Sequence, residues 1–301
     1  MEFINTPEDR FVNLEGYPFS PNYITLGSGM RIHYLDEGPK DASDILLLMH
    51  GEPSWSYLYR TMIPPLVSAG YRCIAPDLIG FGKSSKPLRQ EDYTYALHVE
   101  WMQSFMDQLE ISSFTLFCQD WGGLIGLRLV SNDPERFNRI VVSNTMLPTG
   151  DHTPPEAFIK WQKFSQRVEE FPVEFVMQGA TTTELTPSVL AGYRAPFPDE
   201  TYTAGAKIFP TLVPTTPDDP ESQNNRDAWQ NVFSNWQKPL LTLFGDSDPV
   251  TKGGDRVFQK LVPGSKEQDH TTIEGGGHFI QEDRGPELAK HIIQFIQKNP
   301  A

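Results

Sequence analysis

Phe114-Thr-Leu-Phe-Cys-Gln-Asp120-Trp-Gly-Gly-Leu-Ile-Gly-Leu127 decides how the rest of the chain is read. Residues 114–118 are an apolar run of strand length, and Leu124, Leu127, Leu129 and Val130 then recur at helical spacing. Between strand and helix, a small residue (Cys118) stands two before Asp120, and Gly122 and Gly123 stand two and three after it. A tight strand-to-helix turn presses backbone against backbone and strains its central residue, so small neighbours are needed on both sides. The helix N-terminus favours an anion at the same place. The pattern is that of a nucleophile elbow, with Asp where Ser is usual. A plain helix-capping Asp would also fit this stretch alone, so the reading depends on what accompanies it.

Working outward, residues 23–36 predict a hairpin around Gly27-Ser-Gly29. Ile45-Leu-Leu-Leu-Met49 is wholly apolar, as expected of a strand buried on both faces. It runs into His50-Gly-Glu-Pro53 and a helix expected over 55–68. A strand over 72–77 leads to the glycine-rich loop 77–84, and a helix is expected over 93–109. Downstream of the elbow, 139–144 predicts a strand. After about Met146 the texture changes to prolines, threonines and acidic residues, with helical segments expected over 155–167, 172–179, 186–193 and 226–236. Strand–helix alternation resumes with strands over 239–245 and 270–274 and helices over 252–261 and 286–297. This predicts an α/β fold: a core of 1–147 and 237–301 with a mostly parallel sheet flanked by helices, interrupted by a helical cap over 148–236. Ligands of such sheets bind at the carboxyl ends of the strands, where His50, Asp120, Asp248 and His278 fall.

Composition narrows the function. A formal net charge of −14 argues against nucleic-acid or anionic-membrane surfaces as partners. Cys73 and Cys118 sit in strand-like runs and read as small buried hydrophobes, which fits the cytoplasm. No signal-peptide pattern opens the chain, no apolar run reaches membrane-spanning length, and neither metal-ligand spacing nor a nucleotide-binding glycine motif appears, so no cofactor or metal is expected.

Asp120 needs partners, and nucleophile, acid, then His is the chain order of an α/β-hydrolase triad. Phe244-Gly-Asp-Ser-Asp248-Pro ends one strand, and Gly275-Gly-Gly-His278-Phe follows the last. Both Asp246 and Asp248 are candidates for the acid that fixes the imidazole tautomer; Asp248, further out on its loop, is the better placed to reach His278. The glycines before His278 argue for a backbone that approaches something closely. The backbone N–H groups of Glu52 and Trp121 form the natural oxyanion-hole pair. A carboxylate nucleophile is anionic without a base, attacks a saturated carbon bearing a leaving group, and leaves His278 free to activate water. That points to alkyl halides or epoxides, and away from peptides and ordinary esters.

His-Gly-Glu-Pro, Gln-Asp-Trp-Gly-Gly, Phe-Gly-Asp-Ser-Asp and Gly-Gly-His-Phe-Ile-Gln-Glu together resemble the haloalkane dehalogenases, over essentially the whole chain. Within them the chain resembles the group with Glu, not Asn, after His-Gly. The resemblance implies hydrolysis of a small halogenated alkane to a primary alcohol, halide and proton, a detoxifying activity using water and no cofactor. It implies Asp120 as nucleophile, His278 as base, Asp248 as acid, and a monomer or small homo-oligomer. Because a charged Glu52 would repel a halide, it also implies a second donor from the cap, Trp161, beside Trp121; indole N–H groups only donate. Phe158, Phe209, Pro210 and Val213 are the expected pocket walls. An epoxide hydrolase is the closest rival, for which Tyr193 and Tyr202 would supply the proton donors; an esterase would need Ser at position 120, and a binding protein would not need the full Asp120–Asp248–His278 set.

Overall fold

A computed structural model of the chain describes residues 1–300. Ten strands run β1 (Phe3–Ile4), β2 (Asn22–Thr25), β3 (Arg31–Glu37), β4 (Ile45–Met49), β5 (Arg72–Pro76), β6 (Lys86–Pro87), β7 (Phe114–Gln119), β8 (Phe137–Ser143), β9 (Leu240–Gly245) and β10 (Thr271–Ile273). β1 and β6 form a small antiparallel pair. The other eight make one sheet in the order β10-β9-β8-β7-β4-β5-β3-β2, parallel from β10 to β5 and antiparallel where β5 meets β3 and β3 meets β2. β7 is buried along its whole length, as a central parallel strand must be when helices cover both sides.

Flanking the sheet are α1 (Ile63–Ser68), α2 (Tyr95–Gln108), α3 (Trp121–Asn132), α9 (Gly254–Leu261) and α10 (Ile280–Lys298). α1 packs on α10, and α2 on α3. Thr94 caps α2 by accepting the Leu97 N–H at 3.1 Å. The expected helix over 55–68 is two pieces, a 3₁₀ turn Ser56–Tyr59 and α1, because Pro64 and Pro65 fit a first turn but not a helix interior. α10 starts six residues earlier than the sequence predicts and breaks at Arg284 (φ −143°, ψ 31°), two residues before Pro286.

After β8 the chain leaves the sheet and returns at β9. Between them lie α4 (Glu156–Ser165), α5 (Val173–Gly179), α6 (Pro187–Arg194), α7 (Ala204–Leu212) and α8 (Ser222–Asp227). α4 packs on α7 and α5 on α6. α7 was not expected from sequence; Pro210 near its end hides a helix that its first turn otherwise supports. The expected helix over 226–236 is instead the end of α8 followed by a π turn and a 3₁₀ turn.

Candidate active site

Asp120 sits between the end of β7 and the start of α3 with φ 51° and ψ −126°, a conformation that costs a non-glycine residue free energy. The turn is over-determined around it. Its N–H donates to the Asn144 carbonyl at 3.0 Å, and its carbonyl accepts from the Thr145 hydroxyl at 2.7 Å. A Cβ on Gly122 would lie 2.0 Å from the Met49 carbonyl oxygen, and one on Gly123 1.9 Å from Thr145 Oγ1. The small residues after Asp120 are therefore what lets α3 start against β4 and the end of β8.

Three loops bring groups to the Asp120 carboxylate. From the end of β4, the Glu52 N–H donates to Oδ1 at 2.8 Å. The Gly51–Glu52 peptide is fixed from behind. Its carbonyl accepts the Ser54 hydroxyl at 2.7 Å and His50 Nδ1–H at 2.8 Å, while His50 Nε2 accepts the Leu78 N–H at 2.9 Å. Burial lowers the His50 pKa, against the pull of Asp77, so the ring stays in this neutral tautomer. Trp121, as the first residue of α3, offers a backbone N–H that no turn of helix precedes.

From the loop before α10, His278 places Nε2 3.3 Å from Asp120 Oδ2 and Nδ1 3.0 Å from Asp248 Oδ2. Burial disfavours its cation, but the two carboxylates outweigh that and raise its pKa to about 10. Asp248, after β9, is itself buried; burial pushes its pKa up, and the His278 charge, the Thr251 hydroxyl and the Val250 N–H more than reverse this. Asp246 points elsewhere, accepting the Gly275 N–H at 2.9 Å and the Ser247 hydroxyl at 2.7 Å. Two side chains that the sequence reading missed hold the His278 backbone: Gln119 Nε2–H at the end of β7 donates to its carbonyl at 3.1 Å, and Asn144 Nδ2–H after β8 donates to it at 3.2 Å. Their signal was only that both are polar residues at strand ends.

Glu52 departs from expectation. Its side chain is 4% exposed, and burial together with the Asp120 charge raises its pKa well above the usual carboxylate range. Oε1 has no hydrogen-bond partner. Burial and the neighbouring Asp120 charge thus both disfavour the Glu52 anion whose repulsion of a halide the sequence suggests.

A cavity of about 940 Å³ opens over Asp120 between the sheet and α4, α5 and α7. Phe158, Pro210 and Val213 line it, as do Trp121, Trp161, His278 and Glu52. Phe209 does not. It is fully buried behind Trp121, with ring centroids 4.7 Å apart, where it backs the indole and forms no part of the wall. Phe164, Phe175, Val176 and Phe279 complete an apolar lining that sequence did not single out. Trp229 also lines the cavity, but its N–H is taken by the Leu147 carbonyl at 2.8 Å. The Nε1–H groups of Trp121 and Trp161 have no protein acceptor among the described residues, and Trp161 is set by Phe164 and Phe171 at 5.9 and 6.0 Å. Tyr193 and Tyr202 are not on the cavity wall, and the Tyr193 hydroxyl is bound to Glu282. Among the described residues no His/Cys/Asp/Glu group could hold a metal ion, and no helix is long and apolar enough to cross a membrane.

The chain matches the alpha/beta hydrolase fold family over residues 44–285. It is 58% identical to a haloalkane dehalogenase of Psychrobacter cryohalolentis across 100% of both chains. It is 49% identical to one from Mycobacterium marinum across 98% of this chain and 100% of that one. The tetrameric structure of haloalkane dehalogenase DpaA from Paraglaciecola agarilytica NO2 superposes with a TM-score of 0.90 at 34% identity, covering 96% of this chain and 97% of the other. An Asp in the elbow, a sheet of this order and similarity along the whole length coincide: the chain belongs to the haloalkane dehalogenases of the α/β-hydrolase fold.

Proposed function

We propose that this protein hydrolyses carbon–halogen bonds of haloalkanes to a primary alcohol, halide and a proton through an ester on Asp120. The observation that carries the reading is the carboxylate at the elbow, held by the Glu52 N–H and facing His278, at the floor of an apolar cavity. The Asp120 carboxylate attacks the carbon; the carbon–halogen bond breaks, and the halide leaves toward the indole N–H groups of Trp121 and Trp161. Water then adds to the ester carbonyl carbon and gives a proton to His278 Nε2, whose imidazolium Asp248 stabilises. The oxyanion accepts from the Glu52 and Trp121 N–H groups. Collapse expels the alcohol with an original Asp120 oxygen, and the proton reaches solvent.

The division into a core of 1–147 and 237–301 and a cap of 148–236 is part of this proposal, with Phe158, Pro210 and Val213 as substrate-facing residues. So are a cytoplasmic location, supported by two free buried cysteines, and a monomer or small homo-oligomer, supported by the tetrameric Paraglaciecola relative. An epoxide hydrolase is disfavoured because no tyrosine among the described residues lines the cavity to protonate an alkoxide. The test is bromide release from 1,2-dibromoethane against diol release from styrene oxide. A single turnover in ¹⁸O water should then put label in Asp120 and leave the alcohol unlabelled. Label only in the alcohol would refute the covalent route.

A further inference from the structure

The segment after the base, Phe279-Ile-Gln-Glu282-Asp283, carries two adjacent carboxylates to which the reaction above assigns nothing. Both reach across to the inserted helices. Glu282 pairs with Arg60 through both guanidinium nitrogens, one at 2.9 Å, and accepts the hydroxyl of Tyr193 on α6. Asp283 accepts three backbone N–H groups: Thr182 at 3.0 Å and Thr183 at 2.7 Å, which follow α5, and Gly277 at 2.7 Å, the residue before His278. The same strip is sewn by the Phe279 N–H to the Ala180 carbonyl at 3.1 Å and the Thr182 hydroxyl to the Gly275 carbonyl at 2.5 Å. Nothing larger than glycine fits at 277, where a Cβ would lie 2.8 Å from the Ala180 carbonyl oxygen. His278 is thus held on one side by Gln119 and Asn144 of the core and on the other by the 180–183 segment.

We infer that Glu282 and Asp283 are positioning residues that tie the placement of the α5–α6 segment to that of His278, so that this segment governs ester hydrolysis and not alkylation. The inference rests on reading Asp120 as nucleophile and His278 as base. Charge-assisted bonds from a carboxylate to several N–H groups are strong and directional. Alkylation draws on Asp120 and the two indoles, none of which Glu282 or Asp283 touches. Water activation depends on where His278 Nε2 points, and misplacing a catalytic group by about 1 Å costs on the order of 10²-fold.

The test is single-turnover kinetics of the full chain with 1,2-dibromoethane, following bromide for the first step, alcohol for the second, and intact mass for the ester. Asp283→Asn sets an amide N–H₂ against at least one of the backbone donors, while Tyr193→Phe removes only a hydroxyl. In Asp283→Asn the bromide burst should stay within about 3-fold of wild type while hydrolysis slows about 10-fold or more, so that alkylated Asp120 accumulates. Tyr193→Phe should shift the balance in the same direction by a smaller factor. A proportional fall in both steps, or no change in either, overturns the inference; if Asp283→Asn does not fold, an unchanged balance of steps in Tyr193→Phe overturns it alone. Absence of bromide release by the wild-type chain overturns the dehalogenase reading instead, and needs no variant to detect.

Discussion

Esterification of Asp120 should switch His278 from a stable cation to a working base. In the resting site His278 faces two carboxylates and its pKa stands at about 10, so the ring is protonated at neutral pH. Alkylation neutralises one of them. At the observed 3.3 Å and an effective dielectric of about 20, losing the Asp120 charge removes about 5 kcal/mol of attraction to the cation, roughly 3–4 pH units. The sign is fixed: removing an anion disfavours imidazolium, so in the ester form the pKa falls from about 10. Below the lowered value the ring is charged and cannot take a proton from water; above it the ring is neutral and can. Single-turnover measurements from about pH 5 to about pH 10 should show hydrolysis rising with pH and levelling off above about pH 7, with the bromide burst flat throughout that range. Proton NMR of the free enzyme should meanwhile show the His278 cation persisting to near pH 10. A hydrolysis limb that inflects near pH 10 would mean that Asp120 does not set the His278 charge, and a flat limb would mean that His278 is not the base.

Three further outcomes follow from the site and its surroundings. Trp121→Phe and Trp161→Phe should each lower bromide release by about 10²–10³, the usual cost of losing a preorganised donor, whereas Trp229→Phe should keep most activity because its N–H is spent on Leu147. Asp248→Asn should lower the hydrolysis rate constant by on the order of 10⁴ by analogy with a Ser-His-Asp triad; Asp246→Asn, which touches only Gly275 and Ser247, should cost far less. The third concerns stability. Asp77 is fully buried and accepts from His33 and from the Ser56 and Lys83 N–H groups; burial opposes its ionisation, yet these partners hold its pKa at about 2. A depressed folded-state pKa stabilises above the unfolded value and is lost as pH falls through the folded one. Asp77→Asn should therefore cost about 2 kcal/mol or more at pH 7 by urea unfolding, with the gap to wild type closing below about pH 4.

The sheet was legible because its strands are short apolar runs whose ends carry the chemistry. Ile45–Met49 appears with the bounds its sequence suggests, the run at 72–77 ends one residue sooner and the run at 114–118 one residue later. Local signals failed where a proline redirected a helix, at Pro64–Pro65, Pro210 and Pro286. The chain order of Asp120, Asp248 and His278 made their meeting predictable, because strand ends of one parallel sheet share an edge. Charge state was not predictable. The raised pKa of Glu52 follows from burial by residues distant in sequence, and no motif encodes it. Phe209 shows the same limit: its segment was correctly placed near the site, but whether a ring faces a cavity or the back of Trp121 is decided by packing.

β8 and β9 are parallel neighbours, with Ile140 beside Leu240. Any connection between them must run from the carboxyl end of one strand back to the amino end of the next, and α4–α8 merely lengthen a crossover that the topology requires. Each doubling of such a connection costs only about 0.6 kcal/mol of closure entropy. The splice points are thus permissive, and the stretch between them can be transplanted from a relative to give a chimera with a reshaped cavity on an unchanged sheet. A transplant is constrained elsewhere: it must present a hydroxyl to Glu282 and two backbone N–H groups to Asp283, or the grafted cavity will sit over a base that no longer aims at it.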